Sequence, residues 1–335
     1  MTPEQSPAVI ATLGAGRMGR GIAHAFAYAG HDVWMIDLKD RDDTALEGLR
    51  TEALAEIDAS LAALVELGLF DAAHCPAILA RIHVVGRIEG AQALERAAIV
   101  FEGVPEILEV KREALLWASE HLQPDAILAS TTSTFLVDTL AAMVRHPARF
   151  LNAHWLNPAY VIPLVELSAH AATAPECIAT LRAMLERIGK VPVLCSAAPG
   201  YIVPRLQSLI MNEAARMIEE GVASAQDIDR ATRYGLGFRY AAMGVVEFID
   251  YGGNDILYYA SRYLESELGP RYAAPDIVRR YMEEGRIGLR SGSGFYDYSG
   301  IDQAAYRKDA LARILAMLKH QGLARPPGSA LSKEE

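Results

Sequence analysis

The sequence predicts an α/β fold, in which a doubly wound, mostly parallel sheet precedes an all-helical C-terminal domain. The chain opens on a short apolar run, a glycine turn and an alanine-rich segment, a pattern typical of a strand, a turn and a helix. Short apolar runs then alternate with helix-like segments, which indicates parallel strands joined by helical crossovers. After Pro199-Gly200 every segment with clear periodicity is helical.

The bounds of the elements follow from apolar periodicity and from glycine and proline. Strands are predicted at residues 9–13, 33–36, 82–85, 99–104, 126–130, 150–155, 164–167 and 191–194. Helices are predicted at residues 18–28, within 42–67, and at 201–220, 225–234, 245–264, 275–284 and 303–319. We therefore predict a nucleotide-binding domain at 1–196, a helical substrate and dimerisation domain at 197–325, and a flexible tail at 326–335.

The composition of the 335 residues argues against several classes of function. The formal net charge of −10 disfavours nucleic acid as a partner, because phosphate backbones require clustered Lys and Arg. The three cysteines are far apart and the nine histidines form no HExxH or HxxxH pair, so we expect reduced thiols and no metal site. No apolar stretch reaches 18 residues and the first residues lack a signal-peptide pattern, so we expect a cytoplasmic protein without a membrane partner.

A GxGxxG motif follows the first predicted strand and opens the first helix, in the segment GAGRMG. Gly14 permits a tight turn, Gly16 lets the backbone approach a pyrophosphate, and Gly19 lets helix and strand pack closely. Asp37 lies 23 positions after the first glycine (37 − 14), where a carboxylate accepts the ribose hydroxyls of NAD. The motif predicts a Rossmann-type NAD site, and the alternative is a turn needed only for packing. The predicted contacts are Gly14, Gly16, Arg17, Met18, Gly19 and Asp37.

One histidine and one glutamate end two short apolar runs in the segment 149–167. His154 ends the first run and Glu166 the second, while Pro158 and Pro163 exclude a helix between them. Two neighbouring strands would place the imidazole beside the carboxylate, as a general base for an alcohol proton requires. A core histidine held by a structural ion pair is the alternative.

Several longer motifs occur in one order between about residues 9 and 298. They are GAGRMGRGIAHAFAYAGHDV, FEGVPEILEVKREA, LASTTSTF, RFLNAHWLNPAYVIPLVEL, APGYIVPRLQSLIMNEAARMIEEGVASAQDIDRA and GLRSGSGFYDY. In these motifs the chain resembles the L-3-hydroxyacyl-CoA dehydrogenases and their relatives that act on free hydroxy acids, including the L-gulonate 3-dehydrogenase (lambda-crystallin) and carnitine dehydrogenase branches. The resemblance implies an NAD-dependent enzyme that pairs as a homodimer through its helical domain.

The resemblance also assigns the reacting groups. It makes His154 the catalytic base and Glu166 its partner, with the family's separation of twelve positions (166 − 154) preserved. Ser133 takes the place of the serine that hydrogen-bonds the reacting oxygen. A serine that caps the helix beginning near Phe135 is an equal alternative at that position.

Three further residues take family positions around the substrate and the cofactor. The resemblance places Glu106 and Lys111 after the fourth strand, where the lysine approaches the nicotinamide ribose. Without it, Lys111 would be an ordinary exposed helix lysine. Asn157 resembles a loop asparagine that lines the substrate site, although Asn-Pro is also a common turn.

Three features distinguish the chain from the acyl-CoA members. Pro204 stands where those enzymes have an asparagine near the substrate, and proline offers no side-chain hydrogen bond. Residues 51–80 contain five Asp and Glu but no Lys or Arg, and such a surface repels the phosphates of CoA. Arg239 lies in GLGFRYA, a segment similar to one of the L-gulonate dehydrogenase branch, and its guanidinium suits a free carboxylate. A dimer contact is the alternative role for Arg239.

We therefore expect an NAD-dependent dehydrogenase that reversibly oxidises a secondary alcohol β to a carboxyl group, on a substrate other than a CoA thioester. A 3-hydroxyacyl-CoA dehydrogenase is the alternative within the enzyme class, with Arg50, Arg81 and Arg87 as candidate phosphate ligands. An aromatic acid is an alternative substrate, because the pattern HWxNPxxxIP also resembles one in a pyridine-carboxylate dehydrogenase. A non-catalytic, crystallin-like NAD-binding protein is the alternative of a different class.

Overall fold

The structure is a computed structural model that describes residues 8–325. The chain divides into two compact units, Met1–Met211 and Asn212–Glu335. The domain boundary predicted between residues 196 and 197 stays a prediction. The predicted tail at 326–335 lies outside the described residues.

Strands and helices alternate through the first unit. They are β1 (Ile10–Leu13), α1 (Arg17–Tyr28), β2 (Val33–Ile36), α2 (Asp43–Glu66), α3 (Cys75–Leu79), β3 (Ile82–Val85), α4 (Arg87–Leu94), β4 (Ile99–Glu102), α5 (Leu108–His121), β5 (Ile127–Ser130), α6 (Val137–Ala141), β6 (Phe150–Trp155), β7 (Leu164–Ala169), α7 (Pro175–Arg187) and β8 (Val191–Cys195). The long helix α8 (Val203–Glu219) follows β8. All eight predicted strands are present, with ends that differ from the predicted ones by at most two residues.

The eight strands form one sheet in the order β3-β2-β1-β4-β5-β6-β7-β8. All neighbouring strands are parallel except β6 and β7, which are antiparallel. The predicted doubly wound, mostly parallel sheet is therefore confirmed. In the β6–β7 register His154 stands directly opposite Glu166.

Both faces of this sheet are covered, which explains why its strands are almost continuously apolar. Because side chains alternate along a strand, Ile99 and Phe101 enter the apolar cluster on one face and Val100 the cluster on the other. Polar residues occur where strands end, as Glu102 does on β4 and Ser130 on β5. The carboxyl ends of the parallel strands therefore provide the polar edge of the sheet.

The second unit is helical, as predicted. Its helices are α9 (Ala225–Ala231), α10 (Phe238–Ala242), α11 (Val245–Gly252), α12 (Asn254–Leu268), α13 (Asp276–Glu283) and α14 (Gln303–His320). The single helix predicted at 245–264 was wrong, because Gly253 adopts φ +113° and separates α11 from α12. The helix predicted at 225–234 ends at Ala231 and continues as a π-helical turn, Thr232–Gly237.

Residues 8–325 contain neither a bilayer-spanning helix nor a metal cluster. No helix in that range combines the length and apolarity needed to cross a membrane. No group of three or more His, Cys, Asp or Glu in the same range is arranged to hold a metal ion. The thiols of Cys75, Cys177 and Cys195 are free.

Candidate active site

The turn between β1 and α1 requires glycine at two of its three motif positions, Gly14 and Gly19. Gly14 adopts φ +96°, a left-handed conformation that side chains disfavour. A Cβ on Gly19 would lie 2.0 Å from the carbonyl oxygen of Gly14. A Cβ on Gly16 would meet nothing within 4 Å, and Gly16 precedes α1 without a side-chain cap. The open space and the unsatisfied N–H groups of this helix end fit a pyrophosphate.

A cavity of about 780 Å³ adjoins this turn. The buried side chain of Asp37 lines it at the end of β2 and forms an ion pair with Arg41. A carboxylate at this point suits ribose hydroxyls, so the cavity fits a dinucleotide. Five of the predicted cofactor residues line it, namely Gly14, Gly16, Arg17, Met18 and Asp37.

Glu106 and Lys111 are not among the residues that line this cavity. The ammonium of Lys111 lies 2.9 Å and 3.1 Å from the two carboxylate oxygens of Glu102, and 3.2 Å from Oε2 of Glu106. Lys111 is 1% exposed and Glu102 is fully buried. Removing one partner of such a buried pair typically costs about 3–5 kcal/mol, so the contact with Glu102 gives Lys111 a structural role. Its predicted contact with the cofactor stays a prediction. No sequence pattern singles out Glu102, which ends an apolar strand.

Glu106 organises the turn that contains Ser133. Its Oε1 accepts the main-chain N–H groups of Ser133 (3.2 Å) and Thr134 (3.0 Å) and the hydroxyls of Thr132 and Thr134. Thr132, rather than Ser133, caps the following segment, because its Oγ1 accepts the N–H of Phe135 at 3.0 Å. Ser133 is exposed, and its hydroxyl has no hydrogen-bond partner among residues 8–325. This hydroxyl is therefore available to a ligand oxygen.

The lowered pKa of the Glu106 carboxyl group should make the stability of the fold depend on pH. Burial raises its pKa, but hydrogen bonds from Thr132 and Thr134 and the charge of Lys111 outweigh burial and lower the pKa to about 2. Because the folded-state pKa lies below the ordinary value of 4.5, ionised Glu106 stabilises the fold above about pH 4.5, and this contribution is lost as the pH falls toward 2. Glu106→Gln is expected to lower Tm at pH 7 and to approach the wild type below pH 4.5, as thermal unfolding across this pH range would measure.

Glu109→Gln is the matched control for this variant. Glu109 lies on the exposed surface of α5, with a side chain 72% exposed, so its loss should change Tm little at any pH. Equal Tm values for Glu106→Gln and the wild type at pH 7 would contradict the stabilising role.

His154 and Glu166 form a hydrogen-bonded pair across β6 and β7. Nδ1 of His154 lies 2.9 Å from Oε2 of Glu166. The other oxygen, Oε1, accepts the main-chain N–H groups of Ile202 (2.9 Å) and Val203 (2.8 Å). Glu166 is fully buried, whereas His154 is 7% exposed. When Nδ1–H is donated to the carboxylate, Nε2 of the neutral ring keeps its lone pair and can act as a base.

Tyr201 lies against His154, and no sequence pattern singles it out. The two rings stack with centroids 5.0 Å apart and planes inclined by 9°. The phenol hydroxyl accepts a hydrogen bond from Nδ2 of Asn152 and donates one to the carbonyl oxygen of Thr132, each at 3.0 Å. Tyr201 adopts φ +44°, a left-handed conformation that costs a non-glycine residue roughly 1–2 kcal/mol. The preceding Pro-Gly dipeptide signals a turn but not these contacts.

The loop between β6 and β7 presents Asn157 to the nucleotide cavity. Asn157 is exposed and lines both that cavity and a second one of about 240 Å³. The buried Nζ of Lys190 donates to the carbonyl oxygens of Ala159 (2.7 Å) and Ile162 (2.9 Å) and so holds the loop. Burial lowers the pKa of Lys190. Asn157 therefore lies where a ligand in either cavity would meet it.

The two remaining residues of the predicted substrate side lie on helices. Pro204 lies in the first turn of α8, where a missing N–H leaves no helical hydrogen bond unmade. Arg239 lies on α10 in the second unit, with its guanidinium 5.2 Å from the ring centroid of Phe248. It is exposed and has no carboxylate partner within the described part of the chain, so it can accept an anion.

The chain matches two family models in succession. Residues 9–198 match the 3-hydroxyacyl-CoA dehydrogenase, NAD binding domain, and residues 200–298 match the 3-hydroxyacyl-CoA dehydrogenase, C-terminal domain. The chain is 36% identical to a lambda-crystallin homolog of Bos taurus over 263 residues, 78% of this chain and 79% of the relative. It is 28% identical to the 5-formyl-3-hydroxy-2-methylpyridine 4-carboxylate 5-dehydrogenase of Mesorhizobium japonicum over 309 residues, 92% of this chain and 96% of the relative.

A solved structure supports the same likeness along nearly the whole chain. The 3-hydroxyacyl-CoA dehydrogenase of Archaeoglobus fulgidus aligns with a TM-score of 0.73 and 32% identity, covering 95% of this chain and 100% of that one. The relatives thus include a protein named for an acyl-CoA and a protein named for a pyridine carboxylate.

Proposed function

The chain belongs to the 3-hydroxyacyl-CoA dehydrogenase family, and we propose that it oxidises a secondary alcohol β to the carboxyl group of a free acid. It is an NAD-dependent dehydrogenase that acts on CH–OH groups. The pair of His154 and Glu166 carries the proposal, because it leaves one basic nitrogen, Nε2, without a protein partner among the described residues.

His154 is the proposed general base, and three groups assist it. Bound NAD supplies the acceptor for the hydride that leaves the carbinol carbon. As that C–H bond breaks and the carbonyl forms, Nε2 of His154 takes the hydroxyl proton. The Glu166 carboxylate stabilises the resulting imidazolium, and the Ser133 hydroxyl donates to the substrate oxygen. In the reverse direction His154 returns the proton to the oxygen of the ketone.

The acidic surface of α2 supports a free acid over a CoA thioester. Residues 51–80 contain no Lys or Arg. The buried guanidinium of Arg20 on α1 is already paired with Glu52 and Glu56 of α2, so it cannot meet a phosphate without leaving them. The side chains of Glu52 and Glu56 are 70% and 54% exposed, and they would repel a polyanion.

The arginines considered for CoA already have partners. Arg50 forms an ion pair with Glu47. Arg81 donates to two main-chain carbonyl groups. Arg87 lies over the ring of Trp117, with its guanidinium carbon 5.3 Å from the ring centroid. A phosphate would have to displace these contacts, which again favours a smaller substrate.

The decisive measurement is NADH formation with free acids and with a thioester. The free acids are L-gulonate, L-carnitine, 3-hydroxybutyrate and a pyridine carboxylate, and the thioester is 3-hydroxybutyryl-CoA. We expect kcat/KM for at least one free acid to exceed that for the thioester by at least about tenfold, or about 1.4 kcal/mol in transition-state stabilisation. Turnover of the thioester alone would overturn the substrate assignment. NADH binding without turnover of any compound would favour a non-catalytic protein.

Arg239 is the proposed partner of the substrate carboxylate, because its exposed guanidinium has no carboxylate partner among residues 8–325. Hydrogen bonds to charged groups contribute about 1.5–3 kcal/mol, so Arg239→Gln should lower kcat/KM for the preferred acid by at least about tenfold. The NAD affinity should not change. Arg233→Gln is the matched control, because Arg233 also lies over an aromatic ring, 5.7 Å from the centroid of Tyr234. Equal losses in both variants would count against Arg239.

A further inference from the structure

Tyr201 contacts three separate parts of the site, and we propose that it is the positioning residue for His154. Its ring covers one face of the imidazole, its hydroxyl binds β6 and the turn before Ser133, and the next two amides bind Glu166. The role rests on the proposed function, because it presupposes that His154 is the base.

The stacked ring restricts the imidazole to one plane. The hydrogen bond from Nδ1 to Glu166 fixes one atom of the ring but still permits rotation about that contact. A phenol ring only 9° from parallel, at 5.0 Å between centroids, opposes this rotation. The aromatic face also favours the positive charge that His154 gains during turnover. Tyr201 therefore holds Nε2 in place before and after proton transfer.

The phenol hydroxyl joins β6 to the turn of Ser133. It accepts a hydrogen bond from Asn152, two residues before His154, and donates one to the carbonyl of Thr132, directly before Ser133. Burial is the main cause that raises the pKa of Tyr201, so the hydroxyl keeps its proton and remains a donor. The Tyr201 hydroxyl thereby connects the strand that carries the proposed base, His154, to the turn that carries Ser133.

The backbone around Tyr201 orients the carboxylate partner. Gly200 at φ +76° and Tyr201 at φ +44° form two consecutive left-handed residues. This turn directs the N–H groups of Ile202 and Val203 to Oε1 of Glu166. A tyrosine in this conformation is uncommon, and such strain is typical of functional sites. One short segment therefore determines the position of both members of the pair.

The test compares Tyr201→Phe, which keeps the ring, with Tyr201→Leu, which removes it. A small displacement of a reacting group can cost about a hundredfold in rate, so we expect kcat of the leucine variant to fall by about thirtyfold or more. The phenylalanine variant should lose less than about tenfold, because it loses only the hydroxyl contacts. KM for the alcohol and Kd for NAD should stay within about threefold of the wild-type values, since Tyr201 is not proposed to contact either ligand.

Tyr281→Leu is the matched control for the loss of a buried tyrosine ring. Tyr281 packs edge-on against Phe295 in the second unit, at 5.1 Å between centroids. Its substitution should lower Tm without the selective loss in kcat. A folded Tyr201→Leu protein with kcat within twofold of the wild type would overturn the proposal. A fall in NAD affinity parallel to kcat would overturn it as well, because it would indicate general disruption.

A second readout does not depend on turnover. The Nδ1 proton of His154, donated to Glu166, should give a downfield ¹H NMR resonance that is absent from His154→Gln. We expect this resonance to persist in Tyr201→Phe and to broaden or disappear in Tyr201→Leu. An unchanged resonance in Tyr201→Leu would overturn the role of Tyr201. A wild-type protein with this resonance but no turnover would instead overturn the proposed function and leave the positioning intact.

Discussion

Replacement of His154 by glutamine is expected to lower kcat by at least about a hundredfold, because positioned acid-base catalysis typically contributes about 10² to 10⁴. Glutamine retains polarity and approximate length but has no basic nitrogen at the position of Nε2. The affinity for NAD should not change, since the cofactor cavity is lined by the glycine turn and Asp37 rather than by His154. Steady-state kinetics with the preferred substrate and calorimetric titration with NAD separate these two effects.

His146→Gln is the control for the loss of a histidine. His146 is exposed, precedes β6 and is absent from the lining of the nucleotide cavity, so its substitution should leave kcat within about twofold. If His154→Gln retained the wild-type rate, the pair with Glu166 would be a structural ion pair and the proposed base would be wrong.

Replacement of Gly16 by alanine is expected to raise the Kd for NAD by about tenfold to a hundredfold with little change in Tm. The residue has φ −83° and ψ −174°, which alanine adopts readily, and a new Cβ meets no protein atom within 4 Å. The methyl group would instead fill the side from which a pyrophosphate approaches. Such overpacking against the ligand typically costs about 1–3 kcal/mol, which corresponds to this increase in Kd. Calorimetric titration and thermal unfolding measure the two quantities.

Gly48→Ala is the matched glycine control. Gly48 lies within α2, and a Cβ there also meets nothing within 4 Å. Alanine is the better helix former by about 0.5–1 kcal/mol, so Tm should rise slightly and NAD affinity should stay constant. A Gly16→Ala variant that binds NAD as tightly as the wild type would mean that the pyrophosphate does not approach this turn.

The parts of the fold that depend on neighbouring residues were predictable. A strand, a glycine turn and a helix follow each other within the first 28 residues, and each has its own local pattern. The proximity of His154 and Glu166 was also predictable, because two strands joined by a short loop form an antiparallel pair. The break at Gly253 was not anticipated, since the apolar pattern continues on both sides of it.

Contacts between segments that are distant in the sequence could not be predicted in this way. Tyr201 is 47 positions from His154 (201 − 154), and its left-handed backbone opposes the ordinary preference of tyrosine. Lys111 has the spacing of a surface helix residue, yet Glu102 at a strand end buries its ammonium. In each case the partner is defined by sheet order and loop path, neither of which is written in local periodicity.

Glu166 is the acceptor in each hydrogen bond that its carboxylate forms with the described residues. Two peptide N–H groups donate to one carboxylate oxygen, and the imidazole Nδ1 stands ready to donate to the other. Peptide groups do not titrate, and only a substitution by proline removes their N–H, so two of these donors belong to the main chain at 202–203. When Nδ1–H is donated to the carboxylate, the lone pair of the neutral ring lies on Nε2. The main chain at 202–203 thus holds in place the carboxylate that selects the tautomer, and with it the ring nitrogen that receives the proton.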